Sequence, residues 1–241
     1  MSQATDAPAP TGEPLIGSLL RFFSSSIGSK VVMALTGAVL WGFLLAHLGG
    51  NLMVYFGPET YNHYAQALKG NAALLWAVRG ALIAAIPLHF WAAVQSSAKN
   101  SAARPVAYAY ANRSPARTAA KSMLVTGLVI AAFFVYHLAH FTWHVAHPEQ
   151  VKLLPSGEVD VYSMLVNGFS VWWISAIYVV AQLLLAQHLS HGIYSLFQHL
   201  GLYGASWTPF LKRASLAIGY GLCAAFISIP VAVLLGVVKL P

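Results

Sequence analysis

The chain has 241 residues, of which 58% are hydrophobic and only 8% charged, with a formal net charge of +7. Soluble globular domains carry roughly a quarter charged residues, so the composition excludes a soluble enzyme and points to an integral membrane protein. A single cysteine, Cys223, excludes an intrachain disulfide and reads as a small apolar packing residue, whereas ten histidines in so apolar a chain call for an explanation.

Residues 1–14 (MSQATDAPAPTGEP) are rich in Pro, Ala and Thr and are expected to be disordered. The following LIGSLLRFFSSSIGSK mixes Leu, Ile and Phe with Arg21 and Lys30, and reads as a segment lying along the membrane interface. No basic region precedes its apolar part, so it does not read as a signal peptide. The chain therefore divides into residues 1–29, a disordered and interfacial N-terminus, and residues 30–241, a membrane domain. Within the latter, windows at about 31–55, 72–96, 122–146, 171–197 and 214–238 are each long enough to cross about 30 Å of hydrocarbon at ~1.5 Å per residue. The expected fold is all-α, a polytopic bundle of five transmembrane helices.

Nine Lys and Arg residues fall on the N-terminal side of the spans: Arg21 and Lys30, then five between 97 and 121, then Lys212 and Arg213. The other side has Lys69, Lys152 and Lys239, accompanied by Glu59, Glu149, Glu158 and Asp160. The positive-inside rule places the N-terminus in the cytoplasm and the C-terminus outside, as in a multi-pass protein of a bacterial inner membrane. Topology thus accounts for the positive charge, and nucleic acid need not be invoked.

Four histidines sit late in successive helices: His47, His89, His137 and His188 lie 15 to 17 residues into the first four windows. Because the helices alternate in direction, His47 and His137 share a level near the outer face, and His89 and His188 share one near the inner face. The levels are roughly 15 Å apart. The first and third helices also resemble each other. LTGAVLWGFLLAHL against VTGLVIAAFFVYHL places Gly37 and Gly127 each ten residues before its histidine, where a small residue leaves room for a flat group. Two imidazoles at one level, from different helices, suit the two axial positions of a haem iron. The bland alternative for each histidine is an interhelical hydrogen bond or a pore lining. His140 and His191, each three residues after a favoured histidine, and His144, two turns beyond His137 on the same face, are the competitors. His144 and His147 read as surface or quinone-site groups, and His63 and His199 as residues of loops or helix ends.

Over residues 24–200 the chain resembles the diheme cytochrome b membrane-anchor subunits of succinate dehydrogenases and fumarate reductases, of the single five-helix type. The resemblance is carried by SSSIGSKVVMALTG leading into HLGGN, by YNHYAQAL, LHFW, VTG with YHL, and HLSHGIYSLFQHLG. It implies two haem b groups, His47 with His137 for the distal and His89 with His188 for the proximal, and the last motif selects His188 over His191. It implies an iron–sulphur subunit and a flavoprotein subunit on the cytoplasmic face, and menaquinone or another quinone as electron partner in the membrane lipid. Some members carry a carboxylate two residues before the fourth ligand, where this chain has Ala186, so the associated transmembrane proton route lacks its acid here.

The remaining candidates follow from charge and depth. Arg79, inside the second helix at the level of the outer haem, suits a propionate, with snorkelling to the interface as the alternative. Lys30 and Lys121 are placed to serve the inner propionates. A quinone needs hydrogen-bond donors and an apolar channel, which Asn51, Tyr55, Glu59, Tyr61, His63 and His144 are positioned to supply beside the outer haem. Two other functions compete. A haem-b subunit of a different quinone-linked oxidoreductase often has two histidines per helix 13–14 residues apart, which no helix here shows at suitable depths. A His-lined proton transporter would want an intramembrane acid, and none of the five windows contains Asp or Glu.

Overall fold

The computed structural model describes residues 15–103 and 115–241. The expected disorder of residues 1–14, Arg104, Arg113 and the side chains of Arg117 and Lys121 lie outside the described residues. Apart from one antiparallel bridge between Leu153 and Val159, regular structure in the described chain is helical. The protein is an all-α polytopic membrane protein, with five helices long and apolar enough to cross a bilayer.

A short amphipathic helix, α1 (Leu15–Ser24), ends at Ser25, whose side chain accepts a hydrogen bond from the Gly28 N–H and so caps α2 (Ser26–Leu52). A 3-10 turn, Met53–Phe56, extends α2, and Pro58 then opens α3 (Pro58–Gly70). Here Pro occupies the first turn, where its missing N–H costs nothing, and Glu59 and Lys69 sit at the ends that favour their charges. Asn71 caps α4 (Ala72–Ala102). The other spans are α5 (Pro115–Phe141), α7 (Trp172–His199) and α8 (Thr208–Leu234), with α6 (Val161–Ser170) preceding α7.

The five spans fall on the expected windows, with three differences in detail. The short helices α3 and α6 were not anticipated; both lie outside the apolar windows and cover the same face. Helix α5 stops at Phe141, five residues early: Thr142 and Trp143 both donate to the Leu138 carbonyl, and the chain then folds back with His144 at φ 58°. His144 is therefore not two turns along the His137 face, as continuous helix would place it. Helix α8 begins earlier than expected, at Thr208.

Four helices surround a common interior. Helix α2 packs on α4 and α7, α5 packs on α7 and more sparsely on α4, and neither diagonal, α2 to α5 or α4 to α7, comes into extended backbone proximity. Helix α8 lies outside this ring and makes the most extensive helix contact of all, with α7. Small residues permit it: a Cβ on Gly219 would lie 2.8 Å from the Ser190 backbone nitrogen and 3.2 Å from the Ala186 carbonyl oxygen. Ala186 itself is 1% exposed, a packing contact in this seam. By contrast α4 and α5 turn Ile83, Leu88, Val125 and Val129 outward. In a bilayer these contact lipid, where exposure of an apolar side chain costs nothing.

One end of the bundle is capped. Tyr162, Leu165, Val166 and Phe169 of α6 pack with Val54, Tyr61, Ile229 and Val233 into the larger apolar cluster. Asn62 of α3 donates to Asp160 at 2.8 Å and accepts from the Tyr162 N–H at 3.1 Å, tying α3 to the start of α6. Asp160 also caps α6 by accepting from the Ser163 N–H at 3.0 Å and from its hydroxyl at 2.6 Å. This face is called the capped face below, and the one bearing α1 the N-terminal face.

Partial burial works against the Asp160 charge, but the hydrogen bonds from Ser163, Asn62 and the nearby Tyr162 N–H outweigh it and hold the carboxyl below its ordinary pKa. A lowered folded-state pKa stabilises the fold above about pH 4, and that contribution is lost as pH falls through the lowered value. Asp160→Ala is expected to cost roughly 1–2 kcal/mol of cap stability at neutral pH. Thermal unfolding in detergent checks it: the gap between wild type and variant should close at acid pH.

Candidate functional site

Near the N-terminal face, Thr36 of α2 donates its hydroxyl proton to the Val32 carbonyl at 2.7 Å, and its oxygen lies 3.1 Å from Nδ1 of His89 on α4. The same arrangement recurs in the other half of the chain. Thr126 of α5 donates to the Ser122 carbonyl at 3.0 Å, with its oxygen 3.2 Å from Nδ1 of His188 on α7. A hydroxyl whose proton is already committed can only accept, so each Nδ1 must carry the hydrogen. In a neutral imidazole that leaves Nε2 bare, the state in which it can bind a metal.

The glycine after each threonine completes the arrangement. A Cβ on Gly37 would lie 3.4 Å from Cε1 of His89, and one on Gly127 would lie 3.5 Å from Cε1 of His188. The expected role of these glycines changes accordingly: the space each leaves is taken by the imidazole edge of the next helix, not by a flat group beside its own histidine. The Thr-Gly repeat is thus half of a two-helix unit, α2 with α4 and α5 with α7, in which one helix holds the histidine of the other.

Toward the capped face, the rings of His47 on α2 and His137 on α5 stand 5.8 Å apart between centroids and 87° apart in plane. Two imidazole nitrogens on opposite sides of one metal ion, each at about 2 Å, place ring centres roughly 6 Å apart. The pair comes from diagonally opposed helices, as do His89 and His188. Phe43 stacks on His47, and Phe133 and Phe141 flank His137. The Asn51 amide lies 3.3 Å from Nε2 of His47 and donates to the His47 carbonyl at 2.8 Å. An N–H aimed at Nε2 marks that nitrogen as the one carrying the lone pair, which Asn51 would have to yield to a metal.

The competitor His140 is otherwise engaged. It is 1% exposed, with Nδ1 3.0 Å from the Tyr178 hydroxyl and Nε2 2.7 Å from Oε1 of Gln150. With both nitrogens committed it has no lone pair to offer. His147 is bonded to Tyr136 at 3.2 Å and to Glu149 at 3.3 Å, away from both pairs.

No group of three or more His, Cys, Asp or Glu side chains able to hold a metal ion occurs among the described residues. Pairs of imidazoles without such a group of three suit a metal that brings its other ligands with it, as haem iron does. A further observation fits a bound guest: the Trp41 indole N–H, lying between the levels of Gly37 and His47 on α2, is buried without an acceptor. An orphaned buried donor costs about 1–3 kcal/mol unless something else accepts from it.

The other candidates are dispersed. Asn51 and Tyr61 are joined, the buried Tyr61 hydroxyl donating to Oδ1 of Asn51 at 3.2 Å, and burial reinforced by neighbouring Tyr64 holds that phenol above its ordinary pKa and so protonated. Tyr55 is exposed and bonded to Ser228 at 2.8 Å, Glu59 and His63 are exposed on α3, and His144 is half-buried in the loop after α5. Of these six, hydrogen bonds join Tyr61 to Asn51 and Asn51 to His47. Arg79 is exposed and lies over the Trp76 ring at 5.3 Å. Lys30 lines an open pocket of about 320 Å³ with Ile27, Gln198, His199 and Tyr203 on the N-terminal face. Lys121 lies on α5, with its side chain outside the described residues.

Thr36, Thr126 and Tyr178 carry roles that the sequence reading did not assign. The signal for the threonines was present in the paired Thr-Gly; what was missing was that a hydroxyl on one helix serves the next. No family model, curated protein or solved structure matches this chain.

Proposed function

We propose that this chain is the two-haem membrane subunit of a succinate:quinone oxidoreductase, passing electrons between an iron–sulphur subunit and a quinone. The observation that carries the reading is that the His47 and His137 rings stand 5.8 Å apart on opposed helices, while His89 and His188 are each held through Nδ1 against a threonine hydroxyl of a neighbouring helix. Haem, when bound, would supply a one-electron iron couple, with His47 and His137 holding one group and His89 and His188 the other. The chain's own task is to hold the ligands. Thr36 and Thr126 fix the tautomer at the N-terminal level, Phe43, Phe133 and Phe141 exclude water at the capped level, and the Trp41 N–H offers a donor between them. Arg79 on α4 and Lys30 on α2 are cations of a kind that suits propionates.

The positive-inside bias puts the N-terminal face in the cytoplasm, where the iron–sulphur and flavoprotein subunits would dock. The quinone then belongs on the capped face, beside Asn51 and Tyr61, because two levels are needed only when electron donor and acceptor lie on opposite sides. Charge crossing between the faces couples the reaction to the membrane potential, worth ~2.3 kcal/mol per elementary charge per 100 mV. That is enough to assist an unfavourable succinate-to-menaquinone step.

Haem stoichiometry of the purified chain is the direct test. Wild type is expected to hold two haems per chain, and His47→Ala or His137→Ala to lose the one at the capped level only. His89→Ala or His188→Ala should lose the other, while His140→Ala and His191→Ala retain both. A chain that purifies with no haem absorbance rejects the reading. Thr36→Val and Thr126→Val leave an Nδ1–H without its acceptor, and should weaken haem retention at the N-terminal level by roughly 10–100-fold, read by transfer to an apo acceptor protein. In membranes, succinate-dependent quinone reduction should fall when an uncoupler collapses the potential; activity indifferent to uncoupler places both redox partners on one face.

A further inference from the structure

The two levels differ in what stands behind the ligands. At the N-terminal level each Nδ1 meets a threonine held by its own helix. At the capped level, Nδ1 of His137 meets the Tyr178 hydroxyl at 3.4 Å, and the same hydroxyl lies 3.0 Å from Nδ1 of His140. The far nitrogen of His140 meets Oε1 of Gln150 at 2.7 Å.

The directions of these bonds are forced from the loop inward. An amide oxygen can only accept, so Nε2 of His140 carries the hydrogen and donates to Gln150. In the neutral ring Nδ1 is then bare and accepts the Tyr178 proton. Tyr178 has one proton and has spent it, so toward His137 its oxygen accepts, and Nδ1 of His137 must be the donor. The carbonyl oxygen of a loop glutamine thereby dictates which nitrogen of a candidate axial ligand is free. The end of the relay is clamped: Asn167 donates to the backbone carbonyl of Gln150 at 3.4 Å. A Cβ on Gly168 would lie 3.0 Å from Nε2 of His140 and 3.2 Å from Oε1 of Gln150, so α6 closes directly over that bond.

We infer that Gln150, His140 and Tyr178 form a positioning relay that fixes the tautomer of His137 and lowers the electron affinity of the haem it would hold, leaving the other haem untouched. The inference rests on the proposed haem function. An imidazole donating Nδ1–H to a good acceptor becomes a more basic ligand and favours the oxidised metal. Each bond in such a chain polarises the next, so a tyrosine that donates to His140 accepts more strongly from His137. Tyr178 touches neither substrate nor metal; it acts through His137.

The test is a potentiometric titration of the two haems in the purified full-length chain. Tyr178→Phe keeps the ring that packs against Phe133, Phe141 and Phe169 and removes only the acceptor. It should raise the midpoint potential of the haem that is lost in His137→Ala, and leave the other unchanged. Gln150→Leu, which removes the far end of the relay, should raise the same midpoint by less. Tyr136→Phe is the control: its hydroxyl bonds His147, and both midpoints should stay put. Should Tyr178→Phe lose the capped haem, the Gln150→Leu titration decides, an upward shift supporting the relay and an unchanged midpoint overturning it. Two haems retained with the capped midpoint unmoved, or both midpoints moved together, overturns the relay while the haem function stands. A wild-type chain without haem overturns both.

Discussion

An imidazole inside a bilayer has one nitrogen that must donate and one that must accept, and no water to serve either. Leaving a buried polar group without a partner costs kcal/mol, so a membrane protein with four deep histidines is obliged to provide for eight nitrogens. The architecture follows from how that obligation is met. Hydroxyl oxygens with committed protons take the Nδ1 hydrogens of His89 and His188, which presents the Nε2 lone pairs to a bundle interior that diagonal helices do not fill. A protein built only to bury histidines would satisfy both nitrogens of each, as it does at His140. The contrast between His140 and its neighbour His137 separates a structural histidine from one held ready for a ligand.

Rigidity for this arrangement comes from outside the ring of four. The α7–α8 seam, drawn close at Gly219 and Ala186, makes α7 the fixed member, and α7 carries both His188 and Tyr178. Helices α4 and α5 have little protein around them, so their positions depend on α2 and α7 together with whatever lies in the interior. Pro87, two residues before His89, removes one backbone donor from α4 and permits a local bend where its histidine must be aimed. A bound group bridging opposite helices would supply the diagonal contact that side chains do not.

Much of this was legible in the sequence because it depends on local composition. Long apolar windows flanked by asymmetric charge specify the spans, and residue counting with alternating direction puts His47 level with His137. The departures have a common physical origin. Helix α5 ends early because backbone bonds fold Trp143 to Ala146 back onto the last turn, in a stretch with no Pro or Gly to mark the stop. The α3 and α6 helices are too short and too mixed in polarity to register as spans, and they are held by tertiary contacts such as Asn62 with Asp160 across 98 residues. The threonine and tyrosine partners act over separations of 41 to 62 residues, where no periodicity reaches. Gly37 was noticed as small, but only the packed structure says small for which neighbour.

The asymmetry between the faces bears on direction. At the N-terminal level the support is local: a threonine bonded to its own helix moves only if the helix moves. At the capped level both histidines are tied to residues outside the spanning helices, His47 through Asn51 to Tyr61 of α3, and His137 through Tyr178 and His140 to Gln150 in a 3-10 turn. A redox centre fed by a subunit docked in one fixed position gains from ligands insulated from their surroundings. One that exchanges electrons with a small diffusible molecule must respond to that molecule's arrival. On the proposed reading, displacement of α3 or of the 142–160 segment by a bound quinone would reach the axial ligands of the capped level through two hydrogen bonds at most on the His47 side and three on the other. On the proposed reading, this difference favours the capped face for the diffusible partner and the N-terminal face for the fixed one.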